Sequence, residues 1–550
     1  MRTFDPSLPY DSSREPVAAR GMVATSNPIA ATAGLEMLRR GGTAMDAAIA
    51  TAACLTVMEP TSNGLGSDAF ALVWDCPDPT ARKEPWSVRG YNGSGLSPAG
   101  LDPADYLGGG TIPRRGWKPV TVPGAVSLWV DAWRQHGRLP FADLLEPAIH
   151  HADEGFLVAP QTARYWSRAA PAYADHAEWR STFLFDGKPP TAGQLVRLPD
   201  HARTLRAIAE SEGEAFYRGE IAEAIDAAAR ADGGSLRSSD LKDHRTLEVD
   251  PISVDYRGTR LHEIPPNGQG LAALVALGIL RHFDLPDLKP DDPASLHLQI
   301  EAVKLGFADA HRHVADPRHV DRSPEELLAP DRLRRLADTI DPKQAQAFDA
   351  GIPKPGGTVY LSTADSEGRC VSLIQSNYTG FGSGVVIPGW GISMQNRGAC
   401  FHLAEGHPNV VAPGKRPYHT IIPALTTPTP PNQVDVARQS EPGGLMTFGV
   451  MGGFMQPQGH VQVLARIRDH AQNPQAALDA PRFRWSSERS IALEPGWANS
   501  VYADLEELGH DVTRAEQRDV SFGRGQVIHA LQDGWLAGSD QRADGQAVGC

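Results

Sequence analysis

A threonine that follows two glycines is the part of this sequence best suited to covalent chemistry. Residues 351–357 are rich in proline and glycine, and from Thr358 the chain predicts a strand, a turn at 365–368 and a second strand. If the peptide bond between Gly357 and Thr358 were cut, Thr358 would carry both a hydroxyl and a free α-amine. An α-amine has a pKa of about 8, so it can act as general base for the adjacent hydroxyl. These residues alone leave two interpretations open: a nucleophile released by self-cleavage, or a β-hairpin entered through a flexible loop.

Two other motifs carry weaker signals for ligand chemistry. His297 and Glu301 stand four residues apart in a predicted helix and could bind a metal ion, but a solvated or internally hydrogen-bonded helix face explains them better. The glycine-interrupted turn at 61–68 precedes a strand and not a helix, which argues against a nucleotide-phosphate loop. We therefore expect no metal and no organic cofactor.

Composition places the chain among large globular proteins. Of its 550 residues, 41% are hydrophobic and 21% charged, and the 54 glycines and 45 prolines favour many turns over long helical bundles. The net charge of -14 opposes binding to nucleic acid or to anionic membranes. No run of about 18 apolar residues predicts a membrane span. The five scattered cysteines, and a first segment without an apolar signal core, predict a cytoplasmic protein.

Helices and strands alternate in the prediction along the whole chain. Helices are predicted from Pro28 to the glycines at 41–42, over 44–58, 124–136, 140–155, 205–231, 271–283 and 294–311, and from near Gly459. Strands are predicted at 22–25, 69–74, 252–256 and 260–264, and they dominate from Thr358 to Phe448. Residues 318–357 are charged and then Pro/Gly-rich, so we expect them to be exposed and suited to a chain break.

Several blocks of sequence occur in the order and spacing of one known family. They are residues 21–74, 265–270, 301–309, 358–384 and 415–417, together with the pair Gly452-Gly453. On these blocks, which span most of the chain, it resembles the γ-glutamyltransferase family of N-terminal-nucleophile hydrolases. The resemblance implies an α+β fold, specifically a four-layer αββα sandwich. It also implies self-cleavage into a large segment, 1–357, and a small segment, 358–550, that remain together as one compact domain.

The family's catalytic motifs can be carried over by position. Thr358 matches the threonine before which the precursor cuts itself and which then attacks an amide, so Gly357 and Thr358 form the processing site. Ser376 falls where the family usually has a second threonine that assists the nucleophile, and it keeps the hydroxyl. Gly452 and Gly453 match the glycine pair whose backbone N–H groups form the oxyanion hole. A plain turn is the alternative interpretation of that pair.

The groups that would recognise a free amino acid depart from the family pattern. The stretch 92–98 holds no arginine where γ-glutamyl enzymes have one, and Cys400 replaces an aspartate. Loss of these two charges argues against efficient glutathione cleavage. Arg397 and Arg416 remain as cations for a substrate carboxylate, although either could be a surface residue. The candidates for substrate binding are Tyr378, Asn396, Arg397, His419 and Thr420.

The sequence therefore predicts an autoprocessed amidohydrolase that cleaves a γ-glutamyl or other small acyl amide through an acyl-enzyme, as glutathione hydrolases and γ-glutamyltransferases do. Only the short segment 404–409 stands where many relatives carry a lid loop, which predicts an open pocket and favours hydrolysis over transfer. The divergent blocks 375–384 and 449–460 keep open an oxamate- or cephalosporin-acylase-like enzyme with little γ-glutamyl activity. An unprocessed, non-catalytic binding protein is the other alternative. The expected partners are the small amide and the chain's own two fragments, and a homodimer of processed units is compatible with the resemblance.

Overall fold

The computed structural model describes residues 14–75, 86–106, 110–348, 357–429, 444–516 and 519–550. Helices and strands alternate through these residues, which confirms the expected mixture of both. The predicted loop at 351–356 and Cys76 lie outside the described residues.

The strands of the described chain are numbered β1 to β21. In chain order they are Val17–Ala19, Met22–Thr25, Asp68–Asp75, Ser87–Asn92, Phe156–Leu157, Leu195–Val196, Leu247–Val249, Ile252–Tyr256, Thr259–Glu263, Gly357–Ala364, Cys370–Tyr378, Val386–Ile387, Ile392–Ser393, Ala424–Pro428, Met446–Met451, Phe483–Ser487, Ser490–Leu493, Asp511–Arg514, Arg524–Leu531, Gly534–Ser539 and Gln546–Gly549.

The α-helices are numbered α1 to α17 in the same way. They are Pro28–Arg39, Ala44–Met58, Ala125–His136, Phe141–Glu154, Pro160–Ala169, Ala177–Phe183, Pro199–Ser211, Glu214–Arg218, Glu220–Ala231, Ser238–Asp243, Gly270–Leu280, Pro293–His313, Pro324–Leu327, Pro330–Ala337, Met455–Arg468, Pro474–Asp479 and Asn499–Glu507. None of them combines the length and the apolarity that crossing a membrane requires.

Two seven-stranded sheets form the centre of the fold. The first has the strand order β21-β2-β10-β11-β3-β4-β7, and the second has the order β1-β20-β19-β15-β14-β9-β8. The predicted hairpin at Thr358 is the β10–β11 pair, which is antiparallel and lies in the middle of the first sheet. Its neighbours β2 and β3 come from the N-terminal part of the chain. The first sheet therefore interleaves strands from both sides of the Gly357–Thr358 bond.

Apolar side chains join the two sheets, and helices cover their other faces. Phe70, Tyr360 and Ile374 of the first sheet belong to one buried cluster with Leu425 and Ile528 of the second. Helix α2 packs on β10 and β11, whereas α11 and α15 pack on the second sheet. Every residue of the alanine-rich α2 is buried. Small side chains there allow the helix to lie close to its neighbours, since tight packing in a core leaves little room for extra atoms.

The structure corrects two predicted helix boundaries. The single helix predicted over 205–231 is divided into α7, α8 and α9. Glu212 and Gly213 adopt left-handed backbone angles, with φ of 48° and 82°, and they end α7. A left-handed residue cannot continue a right-handed helix. The helix expected near Gly459 begins at Met455, directly after the glycine pair.

Candidate active site

The side chains of Thr358 and Ser376 meet across the central hairpin. The pairing of β10 with β11 is irregular between Gly357 and Val359, so Thr358 lies at a bulge. Its Oγ1 is 3.0 Å from Ser376 Oγ. The Thr358 side chain lies inside the protein, because the residue is only 1% exposed. The nucleophile is thus buried in the uncut chain, and the open pocket expected from the short segment at 404–409 stays a prediction.

The Ser376 hydroxyl connects Thr358 to the peptide bond in front of it. Ser376 Oγ donates to the Gly357 carbonyl oxygen at 2.8 Å and accepts from the Tyr378 backbone N–H at 2.8 Å. A serine hydroxyl has one hydrogen to donate and can accept two. Since that hydrogen is directed at Gly357, the contact with Thr358 must be donated by Thr358 Oγ1. The two hydroxyls form a proton path from the nucleophile to the carbonyl oxygen of the Gly357–Thr358 bond.

Gly357 is tightly enclosed on the other side of that bond. A Cβ added to it would lie 3.0 Å from the Thr61 carbonyl oxygen and 3.1 Å from the Gly380 nitrogen. Both neighbours are backbone atoms, which cannot rotate away. The residue before the nucleophile therefore has to be glycine unless the surrounding backbone shifts.

Gly452 and Gly453 connect β15 to α15 in conformations that favour glycine. Their φ angles are 140° and 61°. Their carbonyl groups accept hydrogen bonds from the Met455 and Gln456 nitrogens as α15 begins. N–H groups at the start of a helix have no partner within it, and the helix dipole makes this end favourable for negative charge. The pair therefore lies at the end of α15 that favours negative charge, and its role as an oxyanion hole stays a prediction.

Gln269 holds the glycine pair in place and was missed by the sequence analysis. Its Nε2 donates to the Gly453 carbonyl oxygen at 2.9 Å and to the Thr420 carbonyl oxygen at 2.6 Å. Its Oε1 accepts from the Tyr418 hydroxyl at 3.0 Å. The block at 265–270 pointed to this region of sequence, but it gave no sign of which side chain would contact Gly453.

Arg397 contacts both Tyr378 and Thr420. Its guanidinium carbon is 4.6 Å from the centre of the Tyr378 ring, and its Nη1 donates to Thr420 Oγ1 at 2.7 Å. The residue is 0% exposed. It is therefore not a surface residue, which removes one of the two interpretations left open by the sequence. Arg416 is half-buried, and its Nε donates to the Ser94 carbonyl oxygen at 2.9 Å.

Two other predicted substrate contacts use their polar atoms internally. The Asn396 amide donates to Thr379 Oγ1 at 2.6 Å and accepts from the Thr379 N–H at 3.2 Å. His419 Nδ1 accepts from the Ile421 N–H, so its Nε2 carries the hydrogen and donates to Asp68 at 3.1 Å. Burial lowers the pKa of His419 well below its ordinary value, with a further lowering from Arg397. Both side chains are therefore held by internal hydrogen bonds, and their contact with substrate stays a prediction.

Asp68 is a titratable carboxyl in contact with His419. It stands opposite Ser376 in the β3–β11 pairing. Burial raises its pKa to about 7, and Arg397 opposes this shift. Nothing in the local sequence distinguishes this aspartate from an ordinary residue at the start of a strand.

A buried ion pair contacts Thr358 from the opposite side and was also missed. Arg524 Nη2 donates to the Thr358 carbonyl oxygen and Arg524 Nη1 to Glu59 Oε2, each at 3.4 Å. Ser26 Oγ donates to the other oxygen of Glu59 at 2.5 Å. Burial raises the pKa of Glu59, and Arg524 opposes that shift. The pair fixes the backbone of the nucleophile.

His297 and Glu301 lie with His510 in a buried cluster whose ligand atoms are within 4.8 Å of one another. Lys304 Nζ donates to Glu301 Oε1 at 2.6 Å, and His297 Nδ1 is 2.8 Å from His510 Nε2. The lysine ammonium thus already supplies the positive charge next to Glu301. This favours the internally hydrogen-bonded interpretation of the motif over a metal site.

Comparison with known proteins identifies the family of the chain. The family model described as gamma-glutamyltranspeptidase matches residues 30–550. The chain belongs to this family, which confirms the resemblance inferred from the sequence blocks.

Two relatives and one solved structure match nearly the whole chain. The "Glutathione hydrolase-like YwrD proenzyme" of Bacillus subtilis is 34% identical over 97% of this chain and 99% of its own. The "Oxamate amidohydrolase proenzyme" of Klebsiella pneumoniae is 35% identical, again over 97% and 99%. The crystal structure of cephalosporin acylase from Bacillus halodurans superposes with a TM-score of 0.91 and 46% identity, covering 100% of this chain and 99% of that one. The relatives thus differ in the substrates that their names give.

Proposed function

We propose that the protein is a self-cleaving amidohydrolase with Thr358 as its N-terminal nucleophile. One observation carries the proposal: Ser376 Oγ contacts both Thr358 Oγ1, at 3.0 Å, and the Gly357 carbonyl oxygen, at 2.8 Å. The same hydroxyl can therefore assist the nucleophile and stabilise charge on the bond to be cut. The two facing sheets with their helices form the four-layer αββα sandwich in which this site is built.

Maturation proceeds through an ester. Thr358 Oγ1 attacks the Gly357 carbonyl carbon and gives its hydrogen to Ser376 Oγ, while the hydrogen of Ser376 moves to the former carbonyl oxygen. The C–N bond then breaks as this hydrogen passes to the Thr358 nitrogen, so Gly357 is esterified to Thr358 Oγ1 and the Thr358 amine is free. Water hydrolyses the ester and leaves fragments 1–357 and 358–550. They stay together because β2 and β3 of the large fragment pair with β10 and β11 of the small one.

Turnover uses the same oxygen on a substrate amide. The freed Thr358 amine takes the hydroxyl proton as Oγ1 attacks the substrate carbonyl carbon, and it returns that proton to the departing amine. The N–H groups of Gly452 and Gly453 stabilise the oxyanion, and one such donor contributes about 10²–10³ in rate. Water then releases the acyl group from Thr358. The substrate class is a γ-glutamyl or other small acyl amide.

A denaturing gel with mass spectrometry tests the proposal. We expect the wild-type chain to give two fragments, the smaller one starting at Thr358. Thr358→Ala should leave one full-length band without amidase activity, and Ser376→Ala and Gly357→Ala should slow cleavage. Ser366→Ala, in the exposed turn of the same hairpin, is the matched control and should process normally. A full-length wild-type protein, or fragments that still form in Thr358→Ala, would contradict the assignment.

A further inference from the structure

Arg397 carries a buried charge with two hydrogen-bond donors left over. The Nε and Nη2 atoms have no hydrogen-bond partner, although the residue is fully buried. Its contacts in the described part of the chain are the Thr420 hydroxyl, the Cys400 sulfur at 3.9 Å and the Tyr378 ring, none of which is anionic at neutral pH. Burial raises the pKa of the Cys400 thiol, so this group remains neutral. An unsatisfied buried cation is costly, and its persistence points to a ligand.

The free donors have the geometry of a carboxylate receptor. In an arginine, Nε and Nη2 lie side by side on one edge of the planar guanidinium. Two parallel N–H groups on such an edge match the two oxygens of a carboxylate. The opposite corner, Nη1, is already fixed by Thr420, which holds this edge in one orientation.

The receptor is also connected to the reacting atoms through neighbouring residues. Arg397 stacks on Tyr378, whose backbone N–H donates to the Ser376 hydroxyl that contacts Thr358. On its other side it contacts Thr420, whose carbonyl group shares Gln269 with Gly453. A short chain of contacts therefore connects the guanidinium to the nucleophile on one side and to the glycine pair on the other.

We propose that Arg397 binds a carboxylate on the acyl part of the substrate, so that the preferred substrates are monoamides of dicarboxylic acids without an α-ammonium group. This inference rests on the proposed function. It differs from γ-glutamyl recognition because a γ-glutamyl group brings an ammonium group that needs its own anion. The residue next to the guanidinium where that anion would stand is the neutral Cys400.

The test compares charged and neutral amides on wild-type protein and on Arg397→Met. The substrates are the monoamides of oxalic, malonic, succinic and glutaric acids, each paired with its methyl ester, and γ-glutamyl anilide; ammonia or aniline release is measured. We expect at least one free acid to exceed its ester by about 10² in kcat/KM, because the ester cannot form the charged, paired hydrogen bonds with the guanidinium. Arg397→Met should bring that ratio close to one while both fragments still form. Arg397→Lys should recover only part of it, because a lysine is a point charge without the paired donors.

A binding measurement keeps the test independent of turnover. Titration calorimetry with the dicarboxylates themselves should show binding to processed wild-type protein and loss of binding in Arg397→Met. Equal binding by both proteins, an unchanged acid-to-ester ratio in Arg397→Met, or γ-glutamyl anilide as the best substrate would each overturn the inference. Failure of the proposed function looks different: the chain stays full-length, and no amide, charged or neutral, is cleaved.

Discussion

Arg397 and Arg524 are both buried near Thr358, but they are neutralised in different ways. Arg524 pairs with Glu59 and also donates to Ser62 Oγ and to the Thr358 carbonyl oxygen. Arg397 forms no ion pair within the described ranges, and two of its nitrogens have no partner. Asp68, a carboxyl that feels the Arg397 charge, has a pKa raised to about 7 and accepts a hydrogen bond from His419 Nε2.

This difference separates two uses of a buried cation. A charge that is fully paired inside the protein holds structure, because breaking the pair leaves its partner uncompensated. A buried charge that keeps unpaired donors lowers the stability of the free protein, and a bound ligand can compensate for this cost. Arg524 thus positions the backbone of Thr358, whereas Arg397 is available to bind an anion from the substrate.

The largest expected effect is on the free energy of unfolding, and it differs between the two arginines. Arg524→Met should destabilise the protein by about 3–5 kcal/mol at pH 8, because Glu59 is left as a buried unpaired carboxylate. Arg397→Met should leave the free energy of unfolding unchanged or raise it. Urea denaturation of both variants measures the contrast.

A second variant identifies the cause of the Arg524 effect. Glu59→Gln combined with Arg524→Met should recover part of the loss, since no charge remains buried. The loss in Arg524→Met should also shrink at pH 5, because burial already raises the pKa of Glu59 and the carboxyl can take up a proton. Equal losses from Arg397→Met and Arg524→Met would show that the two cations play the same part.

The next effect comes from giving Arg397 the partner that Arg524 has. Cys400→Asp places a carboxylate beside the guanidinium, where the thiol sulfur now lies 3.9 Å from Nη1. The new anion should compete with the substrate carboxylate and lower kcat/KM for the preferred monoamide by about 10–100-fold. Cys400→Ser changes the same atom without charge and should stay within a few-fold of wild type. A Cys400→Asp enzyme as active as Cys400→Ser would argue against a carboxylate site at Arg397.

Local sequence determined the hairpin but not the residues that surround it. Thr358 and Ser376 lie on neighbouring strands joined by a short turn, so strand pairing alone brings them together. Arg524 and Glu59 are 465 positions apart, and only the packing of β19 against the N-terminal elements places them in contact. Glu212 ends a predicted helix because its backbone is left-handed. A glutamate in the sequence gives no indication of such a conformation. Comparison with the family's motifs identified Arg397 as a candidate cation, whereas its lack of a carboxylate partner became visible only in three dimensions.

The smallest expected effect is a pH dependence of substrate binding that comes from Asp68. Its carboxyl, with a pKa of about 7, faces His419 directly and feels Arg397 and, more weakly, Arg416. His419 remains neutral because burial lowers its pKa well below 6.5. As pH rises through 7, Asp68 becomes negative and offsets the Arg397 charge, so KM for an anionic monoamide should rise a few-fold. KM for the neutral methyl ester should not follow it.

Asp68→Asn isolates this group, since an amide keeps the shape of the side chain and cannot ionise. In that variant KM for the monoamide should stay low and flat from pH 6 to 8, as measured by ammonia release. The pH dependence of the free energy of unfolding provides an independent test. A folded-state pKa raised from 3.8 to about 7 means that the native protein binds the extra proton, so this group's contribution to stability is lost as pH rises through that window. The Asp68→Asn variant should lack this loss between pH 4 and 7. A KM that still rises with pH in Asp68→Asn would assign the titration to another group. It would also mean that the Asp68 carboxylate does not offset the charge of Arg397.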